Sequence, residues 1–200
     1  IILEDDIATS SWALNELIKV LSKDLSSSYL TAGLFGALSG RFLKSAFENS
    51  WRSTKYFSAW GWALQKENFE LLDLRVIQKL GIEALAKSPL WLELSEAQRL
   101  RWSFRFNRVR QNPYFSYDYQ IQFLSFLMNK RHLLPLYRLC DNVGFADVRA
   151  VNTKTPKPRW YLGNRMDFRA FKPMQVTKRF DSAFECIDSF TWIGDKKLIL

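Results

Sequence analysis

The first six residues constrain the fold most, because an apolar run at positions 1–3 turns abruptly into Glu4, Asp5 and Asp6. The β-branched, apolar start predicts the end of a buried strand, with the three acids in the loop at its carboxyl end. In open α/β sheets, ligands bind just beyond that end of the strands. Neighbouring carboxylates repel one another, so they favour a divalent cation such as Mg²⁺ or Mn²⁺ as a partner. The same residues also suit a solvated acidic loop that interacts with the dipole of the next helix.

The remaining sequence predicts short strands and helices in mixed order, which is typical of an α/β domain. Its 200 residues are enough for one domain with a sizeable core. Apolar spacing and capping residues predict helices at 12–21, 69–86, 95–111 and 119–130. Strands are predicted at 29–37 and 133–139, and near 174–176 and 190–193. Pro135 favours an edge position for the 133–139 strand, because proline cannot donate to a strand ladder.

The 95–111 segment carries the strongest helix signal. Ser95 and Gln98 have the spacing of a capping box. One face of this helix is apolar and comprises Trp102, Phe106 and Val109. A neighbouring face is basic and comprises Arg101, Arg105 and Arg108.

Charge and cysteine usage limit the setting of the protein. The formal net charge of +9 favours anionic partners such as nucleotide phosphates, nucleic acid or an acidic membrane surface. Cys140 and Cys186 are the only cysteines, which fits a reduced cytoplasmic protein better than a disulfide framework or a zinc site. The sequence shows no signal peptide and no apolar run of about 20 residues, and its start without Met leads us to expect further sequence upstream. The single histidine, His132, is expected at a helix end in a structural role, so a nucleophilic triad is not supported.

Four segments of the chain resemble motifs of one bacterial group of GT-A-fold glycosyltransferases, which includes sequences described as sugar transferases or hemolytic-protein-like transferases. The Leu-Glu-Asp-Asp at 3–6 resembles a variant of the Asp-x-Asp motif, and the Trp-Gly-Trp-Ala at 60–63 is similar to a second family segment. The Tyr-Asp-Tyr-Gln at 117–120 and the Asp-Asn-Val-Gly-Phe at 141–145 resemble two more. The segments occur in the family's order and cover positions 1 to about 155.

The resemblance implies a partial GT-A (nucleotide-diphospho-sugar transferase) fold, with a mixed sheet flanked by helices and the N-terminal nucleotide-binding half missing. Residues 1–160 would be the acceptor-side part of the catalytic domain, and 161–200 a C-terminal extension. The implied activity is transfer of a sugar from a nucleotide-sugar donor to a hydroxyl of a glycan or glycolipid acceptor. The implied setting is surface polysaccharide or lipopolysaccharide synthesis in the cytoplasm, with peripheral contact at the inner face of the cell membrane.

The resemblance also assigns roles to individual residues. Asp6, assisted by Glu4 or Asp5, would hold Mg²⁺ or Mn²⁺ against the donor diphosphate. Asp118 would be the general base of an inverting transferase, although an N-cap is the commoner use of aspartate at a helix start. Sugar contacts are expected from Trp60, Gly61, Trp62, Tyr117 and Asn142. For the two tryptophans a place in the core, and for Asn142 a place in a turn, are the alternatives.

Asn152 is a departure from the family pattern, because it stands where related sequences have a histidine that is a candidate metal ligand. An asparagine oxygen is a weaker ligand than histidine for Mn²⁺. A degenerate transferase that serves as a binding domain is therefore one alternative function. The other is a nucleic-acid-binding module on the arginine face, with Trp102, Phe104 and Phe106 as stacking residues. We expect that face to meet a diphosphate, an anionic acceptor or the membrane surface instead, and expect no nucleic-acid partner.

Overall fold

The structure is a computed structural model, and it describes residues 1–36, 50–135, 138–145 and 175–177. Asn152, Cys186 and the strand expected near 190–193 lie outside these ranges. The strands are β1 (Ile7–Thr9), β2 (Tyr29–Gly33), β3 (Ser50–Thr54), β4 (Trp62–Ala63), β5 (Arg131–Pro135), β6 (Cys140–Asn142) and β7 (Gln175–Thr177). The α-helices are α1 (Ser11–Leu21), α2 (Lys66–Phe69), α3 (Val76–Leu80), α4 (Pro89–Leu92), α5 (Glu96–Gln111) and α6 (Tyr117–Leu127), with a 3₁₀ helix at Ile82–Lys87.

Five strands form a mixed sheet in the order β4-β2-β5-β3-β7. β5 runs parallel to β2 and antiparallel to β3, while β4 pairs antiparallel with β2 and β7 pairs parallel with β3. A separate two-stranded sheet joins β1 to β6 in antiparallel register. The fold is therefore α/β with a mixed sheet flanked by helices, as the sequence predicts.

Two apolar clusters hold the helices against the sheet. The larger cluster joins α3 to α6 and is centred on the fully buried rings of Trp102, Phe106, Phe123 and Phe126. The smaller cluster packs α1 against the strands β2 to β6. Its members include Leu17, Trp51, Leu133 and Leu139. Burying one such aromatic or aliphatic side chain stabilises the folded state by about 1.5–3 kcal/mol. The two clusters therefore hold the helices and strands in fixed positions, and with them the loops that connect these elements.

The capping box predicted at Ser95 and Gln98 is confirmed, and a serine also caps α1. The hydroxyl of Ser10 accepts a hydrogen bond from the backbone N–H of Ala13 at the start of α1. Ser95 and Gln98 form a complete capping box at the start of α5. These bonds satisfy backbone donors that have no partner inside the helix, which fixes where each helix begins.

Three predicted elements are wrong in their extent. The 69–86 helix is broken into α3 and a 3₁₀ helix, because Gly81 adopts a φ of 70° that ends α3. The expected buried strand at 1–3 is replaced by one isolated bridge between Ile2 and Trp62, and all three of its apolar side chains are exposed. The 119–130 helix begins earlier, at Tyr117, so Asp118 lies within its first turn.

The 133–139 strand and its edge position are also corrected. The strand begins at Arg131 and lies in the centre of the five-stranded sheet, where Pro135 is its last residue. A proline at that end removes no hydrogen bond from the strand interior. His132 consequently lies in a central strand and not at a helix end. Its ring is fully buried, and its Nδ1 is 2.7 Å from the hydroxyl of Thr31.

Among the described residues, no helix combines the length and apolar character that crossing a bilayer requires.

Candidate functional site

Backbone hydrogen bonds bring the acidic loop at 4–6 against two distant segments. Ile2 exchanges two hydrogen bonds with Trp62, at 2.7 and 3.0 Å. The N–H of Val143 donates to the carbonyl of Asp6 at 2.8 Å, which extends the pairing of β1 with β6. The N–H of Ile7 donates to the carbonyl of Glu4 at 3.1 Å and closes the loop into a turn. The loop is thus fixed on both sides by segments that lie far away in sequence.

Asn142 and Gly144 shape the surface beside Asp6. The Oδ1 of Asn142 accepts a 2.9 Å hydrogen bond from the backbone N–H of Gly144, and the asparagine is almost fully buried. A Cβ atom placed on Gly144 would lie 2.5 Å from Oδ2 of Asp6 and 3.0 Å from its Cβ. Only glycine therefore fits at position 144 with Asp6 in this place. The buried side chain of Asn142 gives it a turn-forming role that positions Gly144.

Glu4 is held by Tyr117, whose hydroxyl donates a 2.9 Å hydrogen bond to Oε1 of the carboxylate. Burial raises the pKa of Glu4, and the negative charges of Asp6, Asp118 and Asp5 raise it further, while the hydrogen bond from Tyr117 opposes this. Burial also raises the pKa of Tyr117, so this hydroxyl remains protonated and keeps its role as donor. Three other carboxylates, from two distant segments, thus lie close enough to Glu4 to raise its pKa.

Asp118 is half-buried in the first turn of α6. Burial raises the pKa of its carboxyl group, whereas hydrogen bonds from its own backbone N–H and that of Tyr119 lower it. The nearby guanidinium of Arg105 also lowers this pKa. Ser116 is the N-cap residue, and its side chain makes no capping bond. The Asp118 carboxylate therefore interacts favourably with the backbone N–H groups at this helix start, and its charge also raises the pKa of Glu4.

The Trp-Gly-Trp segment lies directly behind the acidic loop. Gly61 adopts a φ of 71°, and a Cβ atom there would lie 3.0 Å from a methyl group of Leu34. Trp62 is only 2% exposed and stacks on Tyr117 with ring centroids 6.3 Å apart. The indole N–H of Trp62 is near the tyrosine hydroxyl and lowers its pKa, but it makes no hydrogen bond of normal geometry to a described residue. Trp62 thus supports Tyr117 from the core side.

Trp60 differs from Trp62 because it remains half-buried. Its ring meets Phe35 and Phe145 edge to face, at centroid distances of 4.6 and 5.7 Å. Its carbonyl oxygen is 3.1 Å from Sγ of Cys140, a buried thiol whose pKa is raised by burial. Trp60 therefore joins the Trp-Gly-Trp segment to β6 and keeps part of its ring at the surface.

The carboxylate cluster does not form a complete metal cage. Within the described ranges, no three side chains of histidine, cysteine, aspartate or glutamate converge in a way that could hold a metal ion. One oxygen of Glu4 already accepts from Tyr117, and Asn152 lies outside the described residues. The arrangement fits a cation held by one or two carboxylates and completed by substrate phosphates, which is a common mode for Mg²⁺.

The arginine face is divided between the site and the surface. Arg105 donates a 2.6 Å hydrogen bond to the hydroxyl of Tyr119 and lies over its ring. Arg108 lies 4.4 Å from the ring centre of Phe115, which stacks on Tyr119. Two of the three aromatics expected to stack bases, Trp102 and Phe106, are fully buried and cannot do so.

Sequence reasoning named Gly144 and Arg105 but missed the contacts through which they shape this site. The role of Gly144 is signalled by the Asn-Val-Gly order at 142–144, because asparagine two residues before a glycine favours a side-chain-stabilised turn. The contact of Arg105 with Tyr119 carries no such local signal, since it joins two helices across 14 residues. No protein-family model, curated protein sequence or solved structure matches this chain with significant similarity.

Proposed function

We propose that this chain forms the acceptor-side part of the active site of a nucleotide-sugar-dependent, inverting glycosyltransferase of GT-A type. The donor is a nucleotide sugar, and the acceptor is a hydroxyl group of a glycan or glycolipid in surface polysaccharide or lipopolysaccharide synthesis. The proposal extends the resemblance of the four sequence segments to their arrangement in space.

The observation that carries the proposal is the convergence of those four segments. Glu4 of the first segment accepts a hydrogen bond from Tyr117 of the third. Trp62 of the second segment pairs with Ile2 through the backbone and stacks on Tyr117. The fourth segment approaches Asp6 through Val143 and Gly144. Segments that were selected only by their motifs thus surround one group of carboxylates, which is the expectation for parts of one site.

Two properties of Asp118 support its proposed role as the general base. Its half-buried position raises the pKa of the carboxyl group and thereby makes the carboxylate a stronger base, while Arg105 favours the ionised form. In the proposed reaction the carboxylate takes the proton of the acceptor hydroxyl as that oxygen bonds to the anomeric carbon. The bond between the anomeric carbon and the diphosphate oxygen breaks, and the nucleoside diphosphate leaves with the bonding electrons.

In the proposed reaction the acidic loop would lie beside the charge that develops on the leaving diphosphate. A divalent cation bound by Asp6, with Asp5 or Glu4 assisting, would neutralise that charge as a Lewis acid. The protein's own part is to keep the loop in place, through the carbonyl of Asp6 bonded to Val143 and the Glu4 carboxylate bonded to Tyr117. Half-buried Trp60 offers a flat apolar surface for the C–H face of a sugar.

The test is donor binding followed by turnover, both measured on the full-length protein. We expect a sugar nucleotide with Mn²⁺ to raise the melting temperature, because a ligand that binds only the folded state stabilises it. We expect Asp118→Asn to reduce transfer or donor hydrolysis by about 10²-fold or more while the donor-induced shift remains. Asp24→Asn, which changes an exposed aspartate outside this site, serves as the matched control.

Two results would contradict the proposal. One is the absence of a thermal shift with every nucleotide sugar in the presence of Mn²⁺. The other is full turnover by the Asp118→Asn variant. Donor binding without any turnover in the unmodified protein would instead support the degenerate-transferase alternative.

A further inference from the structure

The solvent-facing side of α5 carries an apolar ridge that the proposed reaction does not use. Leu100 is 71% exposed and Phe104 is 66% exposed. They are four residues apart and therefore adjacent on one helix face. The opposite face holds Trp102, Phe106 and Val109, which are fully buried in the core. Because the opposite face is packed into the core, the helix cannot turn to bury Leu100 and Phe104, and this ridge remains on the surface.

Basic residues line both sides of this ridge. Helix α5 contains five arginines and a single glutamate, Glu96. On a helical projection, Arg108 falls on one side of Leu100 and Phe104, and Arg99 and Arg110 fall on the other. Arg101 lies on the same side as Arg108, but it is half-buried and its Nη1 atom is fully buried. Glu83 lies beside Arg110 near Gly81, so Glu83 and Glu96 offset only part of this charge. The surface keeps a positive excess, in line with the net charge of the chain.

More exposed aromatic surface follows directly after the helix. Tyr114 is 87% exposed, and Phe115 is partly exposed beneath the guanidinium of Arg108. Apolar and aromatic side chains flanked by arginines are the features that place a helix in the interface of a membrane. Anionic lipid headgroups attract the arginines, and the apolar side chains enter the boundary between headgroups and acyl chains.

From these observations we propose that the exposed face of α5, built around Leu100 and Phe104 and continued by Tyr114, docks on an anionic lipid surface. We call this face the α5 docking face. The proposal does not depend on glycosyl transfer, because it concerns a different side of α5. Helix α5 also reaches the candidate site, because Arg105, on another of its sides, contacts Tyr119, the neighbour of Asp118.

The side chains exposed on the α5 docking face favour a membrane as the partner over a nucleic acid. Base stacking needs accessible aromatic rings along a basic groove. Here Trp102 and Phe106 are buried, and the most exposed large apolar side chain within the helix is the aliphatic Leu100. Aliphatic side chains gain little from bases, but they gain free energy when they leave water for lipid.

The experiment is co-sedimentation of the protein with vesicles of phosphatidylcholine alone and of phosphatidylcholine with about one third phosphatidylglycerol. We expect binding to the anionic vesicles only, and weaker binding as salt is added, because salt screens the arginines. The double variant Leu100→Ser, Phe104→Ser should lose roughly tenfold or more of its partitioning, since two apolar side chains no longer enter the lipid. Both positions are exposed, so circular dichroism should show an unchanged fold.

Phe69→Ser provides the matched control. Phe69 is 61% exposed in α2, but its neighbours Glu67 and Glu70 make that surface less basic. We expect this variant to bind vesicles as the unmodified protein does. Failure of the unmodified protein to bind anionic vesicles would overturn the proposal, as would equal binding by the double variant. Tighter binding to single-stranded DNA than to vesicles, lost in the same double variant, would overturn it in favour of a nucleic-acid surface.

Discussion

The hydrogen bond between Tyr117 and Glu4 gives a prediction that does not depend on any assigned activity. Tyr117→Phe removes only the hydroxyl that donates to Oε1 of Glu4 at 2.9 Å. A hydrogen bond to a charged group contributes about 1.5–3 kcal/mol, and solvent screening of these half-buried side chains reduces the expected loss to about 1 kcal/mol near neutral pH. For a chain of this size, that loss lowers the melting temperature by roughly 2–4 °C.

The same variant should show a defined pH dependence. The pKa of Glu4 is already raised in the folded state, and loss of the hydrogen bond raises it further. A raised pKa contributes stability that is fully present below the unfolded pKa and is lost as the pH rises through the folded pKa. The loss in free energy of unfolding caused by Tyr117→Phe should therefore be largest above the folded pKa of Glu4. It should become smaller toward about pH 4, where the carboxyl group is protonated in most molecules.

Urea unfolding of both proteins near neutral pH and near pH 4 would measure this difference. Tyr114→Phe is the control, because it deletes the hydroxyl of a tyrosine that is almost fully exposed. A deficit that is equal at both pH values, or larger in acid, would refute the reasoning. So would an equal loss of stability in Tyr114→Phe.

Two further predictions follow from close contacts and from burial. Gly144→Ala should lower the free energy of unfolding by about 1 kcal/mol, because its new Cβ overlaps Asp6. The loss should be smaller in an Asp6→Ala background, which removes the contact with Oδ2 and keeps only the one with Cβ, as a double-mutant cycle by urea unfolding would detect. Burial lowers the pKa of His132 to about 3, so the unfolded chain takes up a proton below about pH 6.5 while the folded protein does not. The contribution of His132 to the free energy of unfolding should thus be complete above about pH 6.5 and should be lost as the pH falls from there toward the folded pKa. An NMR titration that shows His132 protonated near pH 6 in the folded protein would contradict this.

Local signals predicted the parts of the fold whose causes are local. Ser95 and Gln98 identify the start of α5 because a capping box involves only neighbouring residues. Trp102, Phe106 and Val109 identify its buried face because helical spacing alone places them together. The expectation of a mixed α/β fold depends on many such signals and is confirmed at that coarse level.

The errors occur where tertiary pairing decides the outcome. Pro135 suggested an edge strand, but β5 pairs with a strand on each side. A proline at the end of a strand removes none of the hydrogen bonds made by the residues in the middle of that strand. The apolar spacing of 69–86 continued across Gly81, although a glycine with positive φ ends the helix there. In the site, Glu4, Tyr117 and Trp62 were each predicted from separate motifs. Nothing in the local sequence indicates that Tyr117 contacts both Glu4 and Trp62.

The two half-buried carboxyl groups of the site differ mainly in the charges around them. Burial raises the pKa of both Glu4 and Asp118, but Glu4 also has three carboxylates nearby, whereas Asp118 has the guanidinium of Arg105. In the proposed reaction these surroundings would give the two acids different roles. Asp118 would be the base, and an added positive charge beside Glu4 would offset the repulsion from its three neighbouring carboxylates. A cation bound with a donor diphosphate would supply that charge and lower the pKa of Glu4. In the proposed function, donor binding at the acidic loop would therefore change the charge state of the Glu4 carboxylate, which Tyr117 holds in place.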